Sequence, residues 1–201
     1  MNKGLLIVIC GPSGAGKGTV HDAVLACMPQ IRRSISVTTR LPREGEVEGV
    51  NYYYRTLAQY QQMIAHGEFL ETASVFDNYY GTPKAAVMET LASGYDVMFE
   101  IDVAGARQIK AKYSESILIF IMTPDFKTLE ARLRGRGTES EASLKTRLTG
   151  ARVELMQYQM FDYIVFNDKI EDTVMRVEAI IHAEKSRIRR NTERIEGILA
   201  E

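Results

Sequence analysis

Short apolar runs alternate along this chain with longer amphipathic stretches. The apolar runs predict strands that are covered on both faces, at residues 5–10, 97–101, 117–122 and 163–166. Helical patterns follow at 17–28, at 103–112, around Leu129 and Leu133, and in one long terminal helix after Asn167 and Asp168. This alternation is typical of an α/β fold with a parallel sheet flanked by helices.

Between residues 32 and 82 the alternation changes. Short alternating segments at 52–54 and 69–76 surround a helical pattern at 57–66, which predicts a mixed or antiparallel insertion ahead of a helix near Pro83. A second irregular stretch, 134–140, contains Gly135 and Gly137 between two helices and is expected to form a mobile flap. Long irregular segments in a compact domain are usually functional.

Length and composition suit one globular domain, with 201 residues and 45% hydrophobic content. Twenty-five Lys and Arg against 26 Asp and Glu leave a net charge of -1, so no general affinity for nucleic acid is expected. The first apolar run is too short for a membrane span or signal segment. Cys10 and Cys27 lack metal-ligand spacing and are interpreted as buried thiols in a reducing compartment, which favours a cytoplasmic protein.

Residues 11–17 fit the phosphate-binding pattern Gly-x4-Gly-Lys and stand between a predicted strand and a predicted helix. In such loops backbone N–H groups and the positive helix N-terminus bind phosphates, while the lysine reaches the β- and γ-phosphates. The predicted ATP-binding residues of this segment are Gly11, Pro12, Ser13, Gly14, Ala15, Gly16, Lys17, Gly18 and Thr19.

One position of this loop departs from the pattern. Gly18 stands where a Ser or Thr hydroxyl usually binds Mg²⁺. Either Thr19 supplies the hydroxyl, or phosphates and water hold the ion, because Mg²⁺ retains its water readily. Mg²⁺ is therefore expected with ATP, and no side chain is assigned as a metal ligand.

A second group of polar residues lies in the predicted insertion and just after it. Arg40 and Arg43, with Pro42 between them, and the phenol of Tyr52 suit a phosphate monoester. Glu100 and Asp102 stand at the predicted carboxyl end of a strand, where open α/β sheets bind ligands. The pleat of that strand is expected to point both to one side.

Several motifs are similar to those of guanylate kinases in order and spacing. They are Ser-x-Thr-Thr-Arg-x-Pro-Arg-x-Gly-Glu, Phe-Leu-Glu, Asn-Tyr-Tyr-Gly-Thr, Glu-Ile-Asp, and Gly-Arg-Gly-Thr-Glu followed by Arg147. The resemblance runs from residue 5 to about 183. It implies a single domain, 1–201, with an α/β core of the P-loop NTPase type, a mixed-sheet GMP-binding insertion and a helical lid. The implied bounds are 1–32, 83–125 and 148–201 for the core, 33–82 for the insertion and 126–147 for the lid.

The same resemblance implies roles for individual residues. It assigns the GMP phosphate to Arg40, Arg43, Tyr52 and Tyr80, and the guanine to Ser36, Glu71, Thr82 and Asp102. Carboxylates would accept from guanine N1–H and N2, and hydroxyls would donate to O6, which adenine cannot match. Glu100, where some members have Asp, is expected near the metal or the acceptor phosphate.

On the donor side the resemblance places Arg132, Arg136 and Arg147 around ATP and the transferring phosphoryl group. Asn167 and Asp168 match the position that contacts adenine, although Asn-Asp after a strand is also an ordinary turn and cap. The predicted catalytic residues are Lys17, Arg43, Arg132, Arg136 and Arg147. Their positive charge offsets the negative charge on the phosphoryl oxygens of a loose transition state. No general base is needed, because the GMP phosphate is already anionic.

The function that the resemblance implies is transfer of the γ-phosphoryl group of ATP to GMP, and to dGMP as well. Two alternatives are considered, a non-catalytic guanylate-kinase-like interaction module and a related kinase for another small acceptor. The retained Lys17 argues against the module. Glu71, Thr82 and Asp102 argue for guanine over other acceptors.

Overall fold

The computed structural model describes residues 3–75, 77–135 and 141–201. Phe76, Arg136 and most of the predicted flap therefore lie outside the described residues. Within these ranges the strands are β1 (Leu6–Cys10), β2 (Ile31–Arg33), β3 (Val37–Thr38), β4 (Tyr53–Tyr54), β5 (Phe69–Val75), β6 (Asn78–Pro83), β7 (Asp96–Glu100), β8 (Ile117–Met122) and β9 (Tyr163–Phe166).

Helices alternate with these strands along the chain, and two follow the last strand. They are α1 (Lys17–Cys27), α2 (Leu57–Ala65), α3 (Lys84–Ala92), α4 (Val103–Lys112), α5 (Phe126–Arg134), α6 (Glu141–Leu155), α7 (Ile170–Lys185) and α8 (Ile188–Leu199), with one 3-10 turn at Tyr158–Met160. In the described part of the chain, no helix has the length and apolar character needed to cross a membrane.

Five parallel strands form the main sheet, in the order β2-β7-β1-β8-β9. Alternate residues of β1 point to opposite faces and are all buried, as the unbroken apolar run predicts. Val8 joins a core under α3, α4, α5 and α6, whereas Ile7 joins a second core under α1 and α7. The predicted α/β core with helices on both faces is confirmed.

A second sheet of four strands has the order β4-β3-β6-β5. Its β3–β4 pair is parallel and its other pairs are antiparallel, so the mixed sheet predicted for the insertion is confirmed. Tyr60 of α2 packs on Phe69 beneath this sheet and donates its hydroxyl proton to the Tyr80 carbonyl over 2.7 Å. The exact bounds of insertion and lid stay predictions.

Two expectations are wrong. The terminal helix is not continuous, because α7 ends at Lys185 and α8 begins at Ile188. At the break the buried Glu184 carboxylate accepts hydrogen bonds from Tyr163 and Arg187, which favours ending α7 there although neither Gly nor Pro is present. Cys27 is exposed rather than buried, because it lies at the last turn of α1, whereas Cys10 is buried.

Candidate functional site

The phosphate-binding loop connects β1 to α1 at the carboxyl end of the main sheet. Gly11 and Gly16 have φ values of 142° and 86°, which favour glycine. A Cβ at Gly11 would lie 2.0 Å from the Ile121 carbonyl oxygen, and one at Gly16 would lie 2.5 Å from Nδ2 of Asn167. Gly11 is therefore required by space as well as by backbone conformation, whereas at Gly16 the positive φ requires glycine and a Cβ would also displace the Asn167 side chain.

Two cationic side chains contact this loop. Lys17 Nζ donates to the carbonyl oxygens of Gly11 over 2.6 Å and of Pro12 over 3.2 Å. Arg147 of α6 donates from Nη1 to the Ser13 hydroxyl over 3.1 Å. Two of the predicted catalytic residues, Lys17 and Arg147, thus lie at the same loop.

An open cavity of about 330 Å³ lies between the loop and the second sheet, a size usual for small-molecule sites. We call it the Glu71 cavity. It brings together seven of the predicted site residues besides Gly11 and Ser13, namely Lys17, Ser36, Tyr52, Glu71, Tyr80, Glu100 and Asp102.

Glu71 lines this cavity and is buried, with 3% of its surface exposed. Its Oε1 accepts a hydrogen bond of 2.7 Å from the hydroxyl of the fully buried Thr82. The Thr82 hydroxyl proton is directed at Glu71 in this structure, and the assignment of Thr82 to guanine stays a prediction. Burial raises the pKa of Glu71, and the Asp102 carboxylate raises it further, while Thr82 and Lys112 lower it.

Asp102 reaches the cavity by a different route from the one predicted. Strand β7 ends at Glu100, so the pleat does not carry Asp102 to the same side. Instead Asp102 is the N-cap of α4 and accepts from Gly105 N over 2.7 Å. A Cβ at Gly105 would lie 3.0 Å from Glu71 Oε2 and 3.4 Å from Asp102 Oδ1, so Gly105 leaves room for both carboxylates.

Arg40 is held at the rim by Glu46. Its Nη2 donates to Glu46 Oε1 over 2.8 Å, and its guanidinium lies 5.5 Å from the centre of the Tyr52 ring. Glu46 Oε2 accepts from Arg43 N and from the Tyr54 hydroxyl, each over 2.8 Å. These contacts, with Arg40 first, lower the pKa of Glu46 to about 2. Arg43 is exposed and does not line the cavity.

A second open cavity, of about 390 Å³, lies on the other side of the loop. We call it the Asn167 cavity; it is lined by Gly14, Gly16, Thr19, Arg132, Asn167, Asp168 and Ile170. It brings together residues from the loop, α5 and the end of β9 that were assigned to ATP.

The Asn167 side chain ties this cavity to the loop. Its Nδ2 donates to the Ala15 carbonyl over 2.8 Å, and its Oδ1 accepts from Thr173 over 3.1 Å. It is 5% exposed, so both amide atoms are engaged within the protein. Arg132 Nη2 donates to the Asp168 carbonyl over 3.3 Å.

Three residues near the site, Glu46, Gly105 and Glu154, were given no role in the sequence analysis. Glu46 and Gly105 have their roles through contacts that only folding creates. Glu154 of α6 lines the Glu71 cavity, and burial together with Asp102 raises its pKa while Lys17 lowers it. The family motif already contains Glu46, whereas for Glu154 the available signal was its spacing of seven residues, two helical turns, from Arg147.

The donor atoms near the loop were also tested as a metal site. Across the described ranges, no three His, Cys, Asp or Glu side chains are grouped so as to hold a metal ion. A metal here would therefore need ligands from a bound molecule or water.

A family model, curated proteins and a solved structure all indicate that this chain belongs to the guanylate kinase family. The guanylate kinase family model matches residues 3–184. The guanylate kinase of Clostridioides difficile (strain 630) is 45% identical over 190 residues, 94% of this chain and 93% of that protein. That of Clostridium perfringens (strain 13 / Type A) is 47% identical over 194 residues, 96% of this chain and 90% of that protein. The crystal structure of guanylate kinase from Anaplasma phagocytophilum is similar with a TM-score of 0.75 and 32% identity, covering 94% of this chain and 90% of that one.

Proposed function

Because the chain belongs to the guanylate kinase family and is an ATP:GMP phosphotransferase, we propose that its two cavities bind one nucleotide each. GMP occupies the Glu71 cavity and ATP the Asn167 cavity, and the phosphate-binding loop lies between them. The observation that carries this division is that Lys17 lines the first cavity while the loop residues Gly14 and Gly16 line the second. No finding favours the interaction module or another acceptor.

Guanine selection rests on Glu71 and Asp102. Their carboxylates accept hydrogen bonds from N1–H and from the N2 amine, and Thr82 fixes the orientation of Glu71. Adenine would present an acceptor to a buried carboxylate, and unpaired buried polar groups give discrimination of about 10⁴ or more. Ser36 completes the polar lining of the cavity.

The GMP phosphate is bound by Arg40, Tyr52, Tyr80 and Arg43. The first three already lie together at one rim, with the Tyr52 and Tyr80 ring centres 5.9 Å apart. Arg43 is exposed on the adjoining loop, so it reaches the phosphate by a change of side-chain conformation or by closure of the insertion over GMP.

The phosphoryl group is transferred by positioning and by positive charge. Lys17 leaves the Gly11 and Pro12 carbonyls to bind the β- and γ-phosphates, and Arg132 and Arg147 contact ATP from either side of the loop. Closure of the lid brings α6 over the nucleotides and excludes water, and the assignment of Arg136 to the same group concerns a residue outside the described ranges. The GMP phosphate oxygen attacks without a side-chain base.

Mg²⁺ enters with ATP. The carboxylates that line the Glu71 cavity with Lys17, and the phosphate oxygens of a bound nucleotide, would be ligands of the kind that Mg²⁺ prefers, with water completing its shell. This donor set would fit the ion, although the described residues include no cluster of three protein ligands. When bound, Mg²⁺ offsets negative charge on the β- and γ-phosphates.

The cellular location of the enzyme is inferred from its substrates. ATP and GMP are small molecules of the cytoplasm, so we place the enzyme there, without a nucleic-acid or membrane partner. The net charge of -1 supports the first exclusion.

Two matched variants test the division of the cavities. Glu71→Gln is expected to raise the Kd for GMP by about a hundredfold while leaving that for ATP unchanged, because a neutral amide cannot accept as a carboxylate does. Arg132→Ala is expected to raise the Kd for ATP and to leave the Kd for GMP unchanged. Equilibrium titration of each variant with each nucleotide measures both effects, and a loss of ATP affinity in Glu71→Gln would contradict the division.

A further inference from the structure

Strand β5 lies at the edge of the second sheet, so one side of its backbone has no neighbouring strand. Its pairing with β6 is irregular between Phe69 and Thr72. There two residues, Leu70 and Glu71, stand opposite the single residue Thr82. Two residues against one is the arrangement of a β-bulge, which re-aims side chains beside binding sites. Glu71 therefore reaches its cavity from the part of β5 where the pairing with β6 is interrupted.

Helix α4 supplies partners for the open edge of β5. The Gln108 side-chain amide pairs with both backbone groups of Thr72, because Oε1 accepts from Thr72 N over 3.0 Å and Nε2 donates to the Thr72 carbonyl over 2.8 Å. One helical turn later, Lys112 Nζ donates to the Leu70 carbonyl over 2.7 Å and to the Phe69 carbonyl over 3.2 Å. These bonds satisfy edge groups that would otherwise lack a partner strand. We call Gln108 and Lys112 the α4 clamp.

The α4 clamp joins Glu71 to Asp102. Its hydrogen bonds go to the backbone on both sides of Glu71, at residues 69, 70 and 72. Asp102 is the N-cap of the same helix, α4. Since a helix is a rigid element and side chains four residues apart share one face of it, both clamp residues reach the same strand. The two carboxylates assigned to guanine thus have one common support.

A binding site demands more of this support than the fold alone does. Groups that read a ligand must be held within about 0.5 Å of the productive geometry. Neither Gln108 nor Lys112 lines the Glu71 cavity, so each acts through the strand and not by contact with a ligand there.

We propose that the α4 clamp positions Glu71 relative to Asp102, so that both carboxylates meet the N1–H and the N2 amine of guanine at once. Gln108 and Lys112 are thereby positioning residues for base selection. This inference rests on the proposed function, since it takes GMP as the occupant of the Glu71 cavity.

Gln108→Met keeps the length of the side chain and removes both hydrogen bonds to Thr72. The KM for GMP is expected to rise by about tenfold to a hundredfold, the loss that a displacement of about 1 Å produces. The kcat at saturating GMP and the KM for ATP are expected to change little, because the phosphoryl-transfer groups lie on other elements. The ratio of kcat/KM for GMP to that for inosine monophosphate, which lacks the N2 amine, is expected to fall by about tenfold. Steady-state kinetics of the full chain measure all four values.

Lys110→Met is the matched control on the same helix. Lys110 Nζ donates to the Ser116 carbonyl over 2.7 Å and to the Asp162 carboxylate over 2.9 Å, which ties α4 to the residues just before β8 and β9 and not to β5. Its loss is expected to lower the melting temperature and to leave the ratio of GMP to inosine monophosphate at its wild-type value. An equal fall of this ratio in Gln108→Met and Lys110→Met would show a merely structural role and overturn the inference.

Lys112 allows a second test at an exposed position. Lys112→Met removes the donors to β5 and is expected to lower the same ratio, whereas Lys112→Arg keeps the charge and the donors and is expected to stay near wild type. A ratio that Gln108→Met and Lys112→Met both leave unchanged would overturn the inference.

Glu71→Gln, measured in parallel, separates this inference from the proposed function. Weaker GMP binding in Glu71→Gln with unchanged base selection in the clamp variants would mean that the inference alone fails. Unchanged GMP binding in Glu71→Gln would mean that the proposed function of the cavity fails, and the inference with it.

Discussion

Thr82 donates its hydroxyl proton to Glu71 over 2.7 Å, and both side chains are buried. This bond favours the ionised carboxylate and partly offsets the burial and the Asp102 charge that raise the Glu71 pKa. The role proposed for Glu71 in GMP binding requires the ionised form, because a protonated carboxyl loses acceptor capacity toward N1–H and N2.

The affinity for GMP is therefore expected to fall on acidification at a higher pH than an ordinary Glu would give. Below the raised Glu71 pKa the loss approaches about tenfold per pH unit. Thr82→Val removes a bond that lowers this pKa and shifts the loss to still higher pH. Titrations of GMP across pH measure the effect, with Glu71→Gln as the control that retains every other titrating group, including the GMP phosphate. Identical pH profiles for wild type and Glu71→Gln would contradict the assignment.

Gly105→Ala is expected to raise the KM for GMP about tenfold, or ~1.4 kcal/mol, without changing that for ATP. The new Cβ would lie 3.0 Å from Glu71 Oε2, which forces that carboxylate to move. Gly197→Ala, in α8 with nothing within 4 Å of its Cβ, is the matched control for helix propensity. Steady-state kinetics compare the two, and equal GMP kinetics would show that the carboxylates tolerate the methyl group.

Glu46→Gln is expected to raise the KM for GMP by about tenfold or more, because Arg40 loses a charge-assisted hydrogen bond and Arg43 N loses an ionised acceptor. Glu48→Gln is the matched control. Glu48 lies on the same loop and pairs with Arg55, but it contacts neither Arg40 nor Arg43. If both variants raise the KM for GMP equally, the effect belongs to the loop as a whole and not to Glu46.

Asn167→Ala is expected to lower the free energy of unfolding by about 1–3 kcal/mol and to weaken ATP binding, because the Ala15 carbonyl loses its buried donor. Thr173→Val, which removes the donor to Asn167 Oδ1, is expected to act in the same direction by less. Chemical denaturation and ATP titration measure the two effects. Unchanged ATP affinity in Asn167→Ala would mean that the loop does not need this tether.

The sequence is most informative where one local pattern determines the structure. The predicted bounds of α4, β8 and β9 coincide with those observed, because each is a run of apolar or amphipathic residues closed by a clear turn. The strand β2 was missed, since its three residues form a strand only by pairing with β7 at the edge of the sheet.

The site was less predictable than the fold because its geometry depends on distant parts of the chain. Glu46 and Gly105 become important only when Arg40 and Glu71 are folded against them. Asp102 enters the cavity as a helix cap rather than by strand alternation, which the spacing of Glu100 and Asp102 alone does not reveal.

Formation of ADP from ATP and Mg²⁺, with GMP, dGMP, AMP, UMP and dTMP offered separately, tests the central claim most directly. Rapid turnover with GMP and at most traces with AMP are expected, because the proposed Glu71 site pairs with guanine and would leave its carboxylates unpaired against adenine. Comparable turnover with AMP or dTMP, or none with GMP from folded protein, would contradict the account.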